Sequence, residues 1–295
     1  MARLHLAIIG VGLIGGSFGL AMKAALGGDI HITGLCRTRE SMENALMRGE
    51  IDEASPDISK VIEGADIVYI STPVLQIVPM TKKILPYLKS GAVITDVGST
   101  KEYLWNELST LLPKDIYYVS GHPMTGKEKS GPMAADKDLF RHKCYVVLSE
   151  TTAPKDVYDK VVDLFRLTGA SLTTLDAKKH DRCASLISHV PHVTASALVT
   201  LLSRHDDDME EAIKLAGGGF KDTTRIASSN ADMWADILMT NGDAIAAHLK
   251  DVQKILGDVV EAIVAKDRGR LHDYFASAKK RRDSILDQTG KLFDI

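Results

Sequence analysis

A single imidazole sits in Gly121-His122-Pro123-Met124-Thr125-Gly126-Lys127-Glu128-Lys129-Ser130-Gly131. Proline fixes its own φ and restricts the residue before it, here His122, and the glycines let backbone approach a ligand closely. The spacing predicts a stiff loop around a group that titrates near neutrality. Such a group can accept a proton from a hydroxyl as a hydride leaves; a loop hydrogen-bonding post would use the same residues. A second cluster, Gly217-Gly218-Gly219-Phe220-Lys221-Asp222-Thr223-Thr224-Arg225-Ile226, sets Lys221 and Arg225 four apart on one helical face. Arginine grips a carboxylate bidentately and lysine acts as a point charge, so the pair suits an anion. A helix start with solvated charges reads the same way. Trp234 follows in Met233-Trp234-Ala235-Asp236, as a wall of the site or as core.

Ser188-His189-Val190-Pro191-His192 places two more imidazoles three apart on a predicted helix that Pro191 bends or restarts. No carboxylate or thiol pattern accompanies them, so a buried polar pair at a domain interface is preferred to a metal site, and none is assigned.

The chain begins with a motif for a large anionic ligand. Gly10-Val11-Gly12-Leu13-Ile14-Gly15 follows an apolar run and opens a helix pattern. In a dinucleotide fingerprint the first glycine makes the turn and the second admits the pyrophosphate to the backbone. The third lets helix and strand pack, and the helix N-terminus faces the charge. Gly10, Gly12, Leu13, Ile14 and Gly15 are therefore cofactor candidates. The second strand ends in Cys36-Arg37-Thr38-Arg39, with no carboxylate before Glu40. Arg37 and Arg39, with Thr38, suit a 2′-phosphate, which favours NADP slightly over NAD. Thr72-Pro73 and Gly98-Ser99-Thr100-Lys101 end two further strands at the edge where open α/β sheets bind ligands. Asp96 and Ser99 are expected beside the nicotinamide, Ser99 also reading as an N-cap.

The elements that must position these groups fall into two textures. Apolar runs at 3–9, 30–36, 66–71, 92–96, 116–119, 143–148 and 170–175 alternate with helical patterns at 14–26, 39–48, 75–88, 101–112 and 155–167. This predicts an N-terminal Rossmann-type, doubly wound, mainly parallel sheet over 1–175. From 176 to 295 the stretches 177–203, 207–216, 231–239, 241–265 and 268–289 predict an all-helical domain.

The 295 residues, 45% hydrophobic and 25% charged with net charge −3, support a substantial core and disfavour nucleic acid as partner. The run Lys279-Lys280-Arg281-Arg282 reads as a solvated helix face. Cys36, Cys144 and Cys183 are far apart and odd in number, which fits free thiols in a reducing cytoplasm. Met1-Ala2-Arg3 runs straight into a strand pattern without a signal peptide, and no apolar stretch is expected to span a membrane.

Taken together, Gly10 to Ser17, Asp96 to Lys101, Gly121 to Gly126, Ser188 to His192 and Gly218 to Ala227 closely resemble the prephenate and arogenate dehydrogenase family, over about residues 4–285. The resemblance implies hydride transfer from the carbinol carbon of prephenate to NAD(P)+, loss of the ring carboxylate as CO2, and 4-hydroxyphenylpyruvate as product. By motif, His122 is the base and Ser99 orients it, the hydroxyl or the nicotinamide. Arg225 binds a substrate carboxylate with Lys221 nearby. His192 contacts the substrate side chain, His189 supports it and Trp234 shapes the wall. His192 marks prephenate users, so arogenate is the second reading. The absence of an acidic residue at Cys36-Arg37 departs from many relatives, and the chain has no room for a fused mutase or ACT domain. A homodimer through the helical domain is implied. Two other functions compete: a β-hydroxyacid dehydrogenase with Lys179 as catalytic lysine, and a dinucleotide-sensing module needing only the first domain.

Overall fold

Continuous apolar runs form strands that are covered on both faces, as parallel sheets require. In the computed structural model, which describes residues 3–126 and 131–289, β1 (Leu4–Ile9), β2 (Ile30–Leu35), β4 (Ile67–Ile70) and β5 (Val93–Asp96) are such strands. Alternate residues of β1 serve opposite faces. Leu6 and Ile8 join Phe18, Met22, Tyr69, Tyr145 and Phe165 in one core. Ala7 and Ile9 join Val68, Ile70, Ile77, Leu104 and Tyr118 in the other. Phe18 stacks on Tyr69 at 4.0 Å and Tyr145 on Phe165 at 4.5 Å. Each large side chain buried this way contributes about 1.5–3 kcal/mol.

The helices on these faces are α1 (Leu13–Leu26), α2 (Arg39–Met47), α3 (Ile58–Ile62), α4 (Val74–Ile84), α5 (Glu102–Leu111) and α6 (Lys155–Leu167). With β3 (Glu53–Ser55), β6 (Tyr117–Pro123), β7 (Cys144–Thr151) and β8 (Ser171–Leu175), the sheet has eight strands in the order β3-β2-β1-β4-β5-β6-β7-β8. Neighbours are parallel except β6 and β7. Ile9 is level with Leu35 and Ile70, and Ile70 with Asp96. That register brings Gly10, Cys36, Ser71 and Val97 to one edge of the sheet, the expected mainly parallel Rossmann-type arrangement.

After β8 every described element is helical: α7 (Ala177–Ala184), a π-turn at Ser185–His189, α8 (Val190–Leu202), α9 (Asp206–Lys214), α10 (Gly218–Thr224), a 3-10 turn at Arg225–Ser228, and α11 (Ala231–Thr240). Residues 1–242 form one compact unit and 243–295 another. The second unit holds α12 (Gly242–Val264) beyond its first residue and α13 (Arg268–Thr289). Lys266 takes φ 51 in the turn between them, and Asp267 caps α13 by accepting from Arg270 N at 3.0 Å.

Several expectations change. β6 runs on to Pro123, so His122 lies on a strand rather than a loop. Gly121, His122 and Pro123 pair with Val147, Val146 and Tyr145 of β7. A Cβ at Gly121 would lie 2.7 Å from the Tyr145 ring, so glycine there is a packing requirement. Lys127 to Ser130 of the same motif lie outside the described residues. β3 and α3 are additional elements, too short to show a period. Finally, the unbroken helical run Ala177–Leu202 is long and apolar enough to cross a bilayer by length and composition alone. The expectation that no stretch reaches that threshold is corrected. Its interrupting residues are mostly uncharged, and the π-turn fuses two helices into one run. The core helix of a folded domain passes the same test, and His180, Asp181, Ser185 and His189 within this run are buried polar groups.

Candidate active site

At the sheet edge each fingerprint glycine meets a distinct steric demand. Gly10 has φ 93, and a Cβ there would stand 2.8 Å from Ser71 O. A Cβ on Gly15 would stand 2.4 Å from both Gly10 O and Ser71 Oγ, so α1 packs directly on the strand ends. Gly12 has nothing within 4 Å of its Cβ position and is the extended N-cap of α1, with no side-chain cap on the first turn at Leu13 and Ile14. A turn, a close packing and an open helix N-terminus are what a bound pyrophosphate needs. Thr72 Oγ1 is buried without a partner beside this edge, and Pro73 caps α4 next to it. These residues fit a nicotinamide dinucleotide, with Thr72 as an available hydroxyl.

The end of β2 is more selective than its sequence suggests. Thr38 accepts from Ser41 N at 3.1 Å as the N-cap of α2, and Arg39 pairs with Glu43 at 2.7 Å. Both are drawn away from a 2′-phosphate. Arg37 is exposed and makes no ion pair with a described residue. Cys36 is buried, which pushes its thiol up to about 11, with Glu50 adding to the rise.

His122 sits near the same edge with 8% of its surface exposed. Its Nδ1 is 2.9 Å from His180 Nε2, and His180 Nδ1 is 2.7 Å from Asp181 Oδ1. Burial, then the His180, Lys101 and His189 charges, hold His122 well below the usual imidazole range. It is therefore a neutral imidazole at physiological pH. Its Nε2 bonds to no described residue.

The Asp181 carboxylate also accepts from Lys101 N at 2.7 Å and Glu102 N at 3.0 Å. It satisfies the opening amides of α5 from 80 residues away. Ser99 is thus not the N-cap: its half-buried hydroxyl bonds to no described residue and is available to a ligand. Asp96 differs from expectation as well. Its carboxylate is fully buried and accepts from Tyr118 Oη, Ser120 Oγ, Lys101 Nζ and Gly98 N at 2.6–2.8 Å. Those four bonds fill its acceptor positions and turn it away from a cofactor.

The helical wall is continuous with this chain. Asn241 Nδ2 donates to Asp181 O at 2.8 Å and meets His189 Nδ1 at 3.2 Å. His189 is buried, which lowers it to about 4. Its ring stands 5.9 Å from Trp234, edge on, while His192 stacks on Trp234 at 3.6 Å. His192 Nε2 also meets Ser229 Oγ at 3.1 Å, and Trp234 Nε1 is buried without a partner. Arg225, at the start of the 3-10 turn, adds to the lowering of His192, after burial. Lys221 is exposed on α10. His122, His189, His192, Trp234 and Arg225 are thus linked by successive interactions. His180, Asp181 and Asn241 were missed by sequence reasoning, as was the buried pairing of Lys101 with Asp96. The Asp-Lys pairing across Asp96 and Lys101, and the adjacent His180-Asp181, were the only local signals.

Family models match nearly end to end. The model described as prephenate dehydrogenase, nucleotide-binding domain, matches residues 18–174, and that described as prephenate dehydrogenase, dimerization domain, matches 176–277. The prephenate dehydrogenase of Bacillus subtilis is 34% identical over 97% of this chain and 77% of its own. The crystal structure of prephenate dehydrogenase from Aquifex aeolicus with hydroxyphenyl propionate and NAD+ superposes with TM-score 0.88 at 31% identity, covering 97% of this chain and 99% of that one. Synechocystis arogenate dehydrogenase gives TM-score 0.81 at 27% identity, over 96% and 100%. With the fingerprint edge and the imidazole chain already joined in the fold, these matches make the protein a member of the prephenate dehydrogenase family.

Proposed function

We propose that this chain catalyses oxidative decarboxylation of prephenate to 4-hydroxyphenylpyruvate, in tyrosine biosynthesis. The observation that carries the mechanism is a buried His122 with Nδ1 engaged by His180 and Nε2 bonded to no described residue. As the carbinol hydrogen leaves as hydride, Nε2 takes the proton of the ring hydroxyl and the carbinol oxygen becomes a carbonyl oxygen. When the ring carboxylate departs, the bonding pair passes through the ring to that oxygen and Nε2 returns the proton, giving the phenol. The dinucleotide, when bound, supplies the hydride acceptor. Aromatisation drives departure of the ring carboxylate as CO2. Ser99, whose hydroxyl bonds to no described residue, orients His122, the substrate hydroxyl or the nicotinamide. Arg225 and Lys221 hold a substrate carboxylate, and Arg225 suits the side-chain carboxylate because a strongly paired ring carboxylate would leave less readily. His192, stacked on Trp234, contacts the side chain, and His189 supports that wall.

Gly10, Gly12, Leu13, Ile14, Gly15, Thr72 and Pro73 form the dinucleotide site. Arg37 alone remains to meet a 2′-phosphate, and with no carboxylate at the end of β2 it supports NADP over NAD. A division between nucleotide-binding and helical domains at 175/176 is supported by the family models, which match 18–174 and 176–277, while the compact units part later, after residue 242. A homodimer forms through the later helices, supported by the family description and by exposed Leu186, Ile187, Leu201 and Leu215. Free Cys36, Cys144 and Cys183 support a reducing cytoplasm.

The test is reduced-cofactor formation by the purified chain, offered prephenate, arogenate and a β-hydroxy sugar acid, each with NAD+ and with NADP+. Highest kcat/KM with prephenate is expected. A preference for arogenate transfers the reading to the sister activity, and turnover of the sugar acid alone overturns both.

A further inference from the structure

Two side chains outside the family motifs form a buried line behind the base. Asp181, at 2% exposure, lies 2.7 Å from His180 Nδ1, and His180, at 1%, lies 2.9 Å from His122 Nδ1. A carboxylate only accepts hydrogen bonds, so the His180 proton belongs on Nδ1 and its Nε2 holds a lone pair. That lone pair faces His122 Nδ1, which must then carry the His122 proton. The bare nitrogen is Nε2. The direction of the line is set at its far end, where Lys101 N and Glu102 N at the start of α5 donate to the same carboxylate. With those two amides and His180 Nδ1 as donors, the carboxylate serves as an acceptor throughout.

We propose that His180 and Asp181 are positioning residues that fix the tautomer of His122, so that Nε2 is always the nitrogen presented to the substrate hydroxyl. This rests on the reading of His122 as the base. When Nε2 takes the hydroxyl proton, an O–H bond breaks and an N–H bond forms. The resulting imidazolium keeps its Nδ1–H, donated to His180 Nε2, and His180 keeps its own proton on Nδ1, donated to Asp181, so no second proton has to move. The groups facing His122 are His180 and Asp181 of α7, Lys101 before α5 with its partner Asp96 of β5, and His189 of the π-turn. Burial, then the His180, Lys101 and His189 charges, disfavour the imidazolium. The hydrogen bond from Nδ1 to His180 is the contact that supports it. Asn241, bonded to both Asp181 O and His189 Nδ1, ties the two helical segments that carry the line.

The experiment pairs two variants with one spectrum. Leu at 180 removes the acceptor while keeping an apolar volume, whereas Gln keeps an oxygen near the place of Nε2. His180→Leu should lower kcat about 10²-fold with KM and cofactor affinity nearly unchanged. His180→Gln should recover to within about tenfold of the parent. If packing were the only role of His180, leucine would be tolerated at least as well as glutamine. Equal loss in both variants, with KM and cofactor affinity moving too, or no loss in either, overturns the proposal. In the parent protein, nitrogen NMR of labelled histidines should show His122 protonated at Nδ1 and bare at Nε2; the reverse tautomer overturns it without any variant having to fold. If the parent protein fails to turn over prephenate while the spectrum shows this tautomer, the functional reading fails and the relay stands. If His122→Asn is inactive and His180→Leu is not, the relay fails alone.

Discussion

Asp96 and Asp181 are both buried aspartates, and both lean on Lys101, but on different atoms. Asp96 takes the ammonium of Lys101, at 2.6 Å, together with three other donors. Lys101 Nζ in turn donates to Gly121 O at 2.7 Å, and its side chain is fully buried. This network is closed, with every strong donor matched inside the protein. Asp181 takes only the backbone N–H of Lys101, and of Glu102, and passes its remaining capacity through His180 to His122. That network is open, because it ends on a nitrogen with no described partner. Closed polar clusters hold elements in place, and an open one can deliver a lone pair to a ligand. Lys101 is the hinge of the comparison, holding β6 by its side chain just before His122 while its amide anchors the line behind His122.

The open end should be the more sensitive to chemistry. His122→Asn is expected to lower kcat by roughly 10²–10⁴ while leaving thermal stability near that of the parent protein. Steady-state rates and a melting curve on the same sample check this. Near-normal turnover would remove His122 as base and erase the distinction between the two networks.

The closed cluster should instead fail as structure. Lys101→Met leaves Asp96 buried with its cation gone, and breaking a buried pair costs about 3–5 kcal/mol. Chemical denaturation should show that loss, and Asp96→Asn in the same background should recover part of it by removing the uncompensated charge. If the single variant melts like the parent, Asp96 is not held by the lysine and the cluster is not closed.

The two networks were also unequally readable in the sequence. The glycines of the nucleotide edge are legible because their spacing is local: Gly10, Gly12 and Gly15 each answer a demand set within one strand–helix turn. The His122 motif is legible as chemistry but not as geometry. Its strand character comes from pairing with Val146, and no pattern around His122 encodes that partner. His180 and Asp181 are harder still, since the amides that orient Asp181 lie 80 and 79 residues earlier. The π-turn gave His189 a burial that a three-residue spacing cannot reveal. Ser99 shows the limit most clearly, because its apparent capping role is taken by a side chain from the other texture of the sequence.

Acid should act on the helical wall before it reaches the closed cluster. Burial depresses His189 from 6.5 to about 4. A depressed folded value means that its contribution is complete above the unfolded value and is lost as pH falls toward the folded one. Stability should therefore drop between about pH 6.5 and 4 by roughly 3 kcal/mol from this group, with His122 acting in the same direction. His189→Asn should flatten that part of the melting-temperature profile. An unchanged slope would mean that His189 protonates as readily folded as unfolded.

A third buried carboxyl, Glu50, has too few donors. Glu50 is fully buried, and Arg48 Nε donates to one oxygen at 3.0 Å while the other has no partner among the described residues. Burial raises it from 4.5 to about 7, against the smaller lowering by Arg48. The sign is opposite to that of His189: a raised acid contributes its stability in full below pH 4.5 and loses it as pH climbs through about 7. Glutamine cannot ionise, so Glu50→Gln should match the parent near pH 4.5 and exceed it increasingly up to pH 7, then hold level. The shift, in which the Arg48 attraction is already included, corresponds to roughly 3 kcal/mol. Denaturation across that pH range measures it. A variant less stable than the parent above neutrality would show that Glu50 is ionised and fully compensated there, placing it with Asp96 among the closed networks.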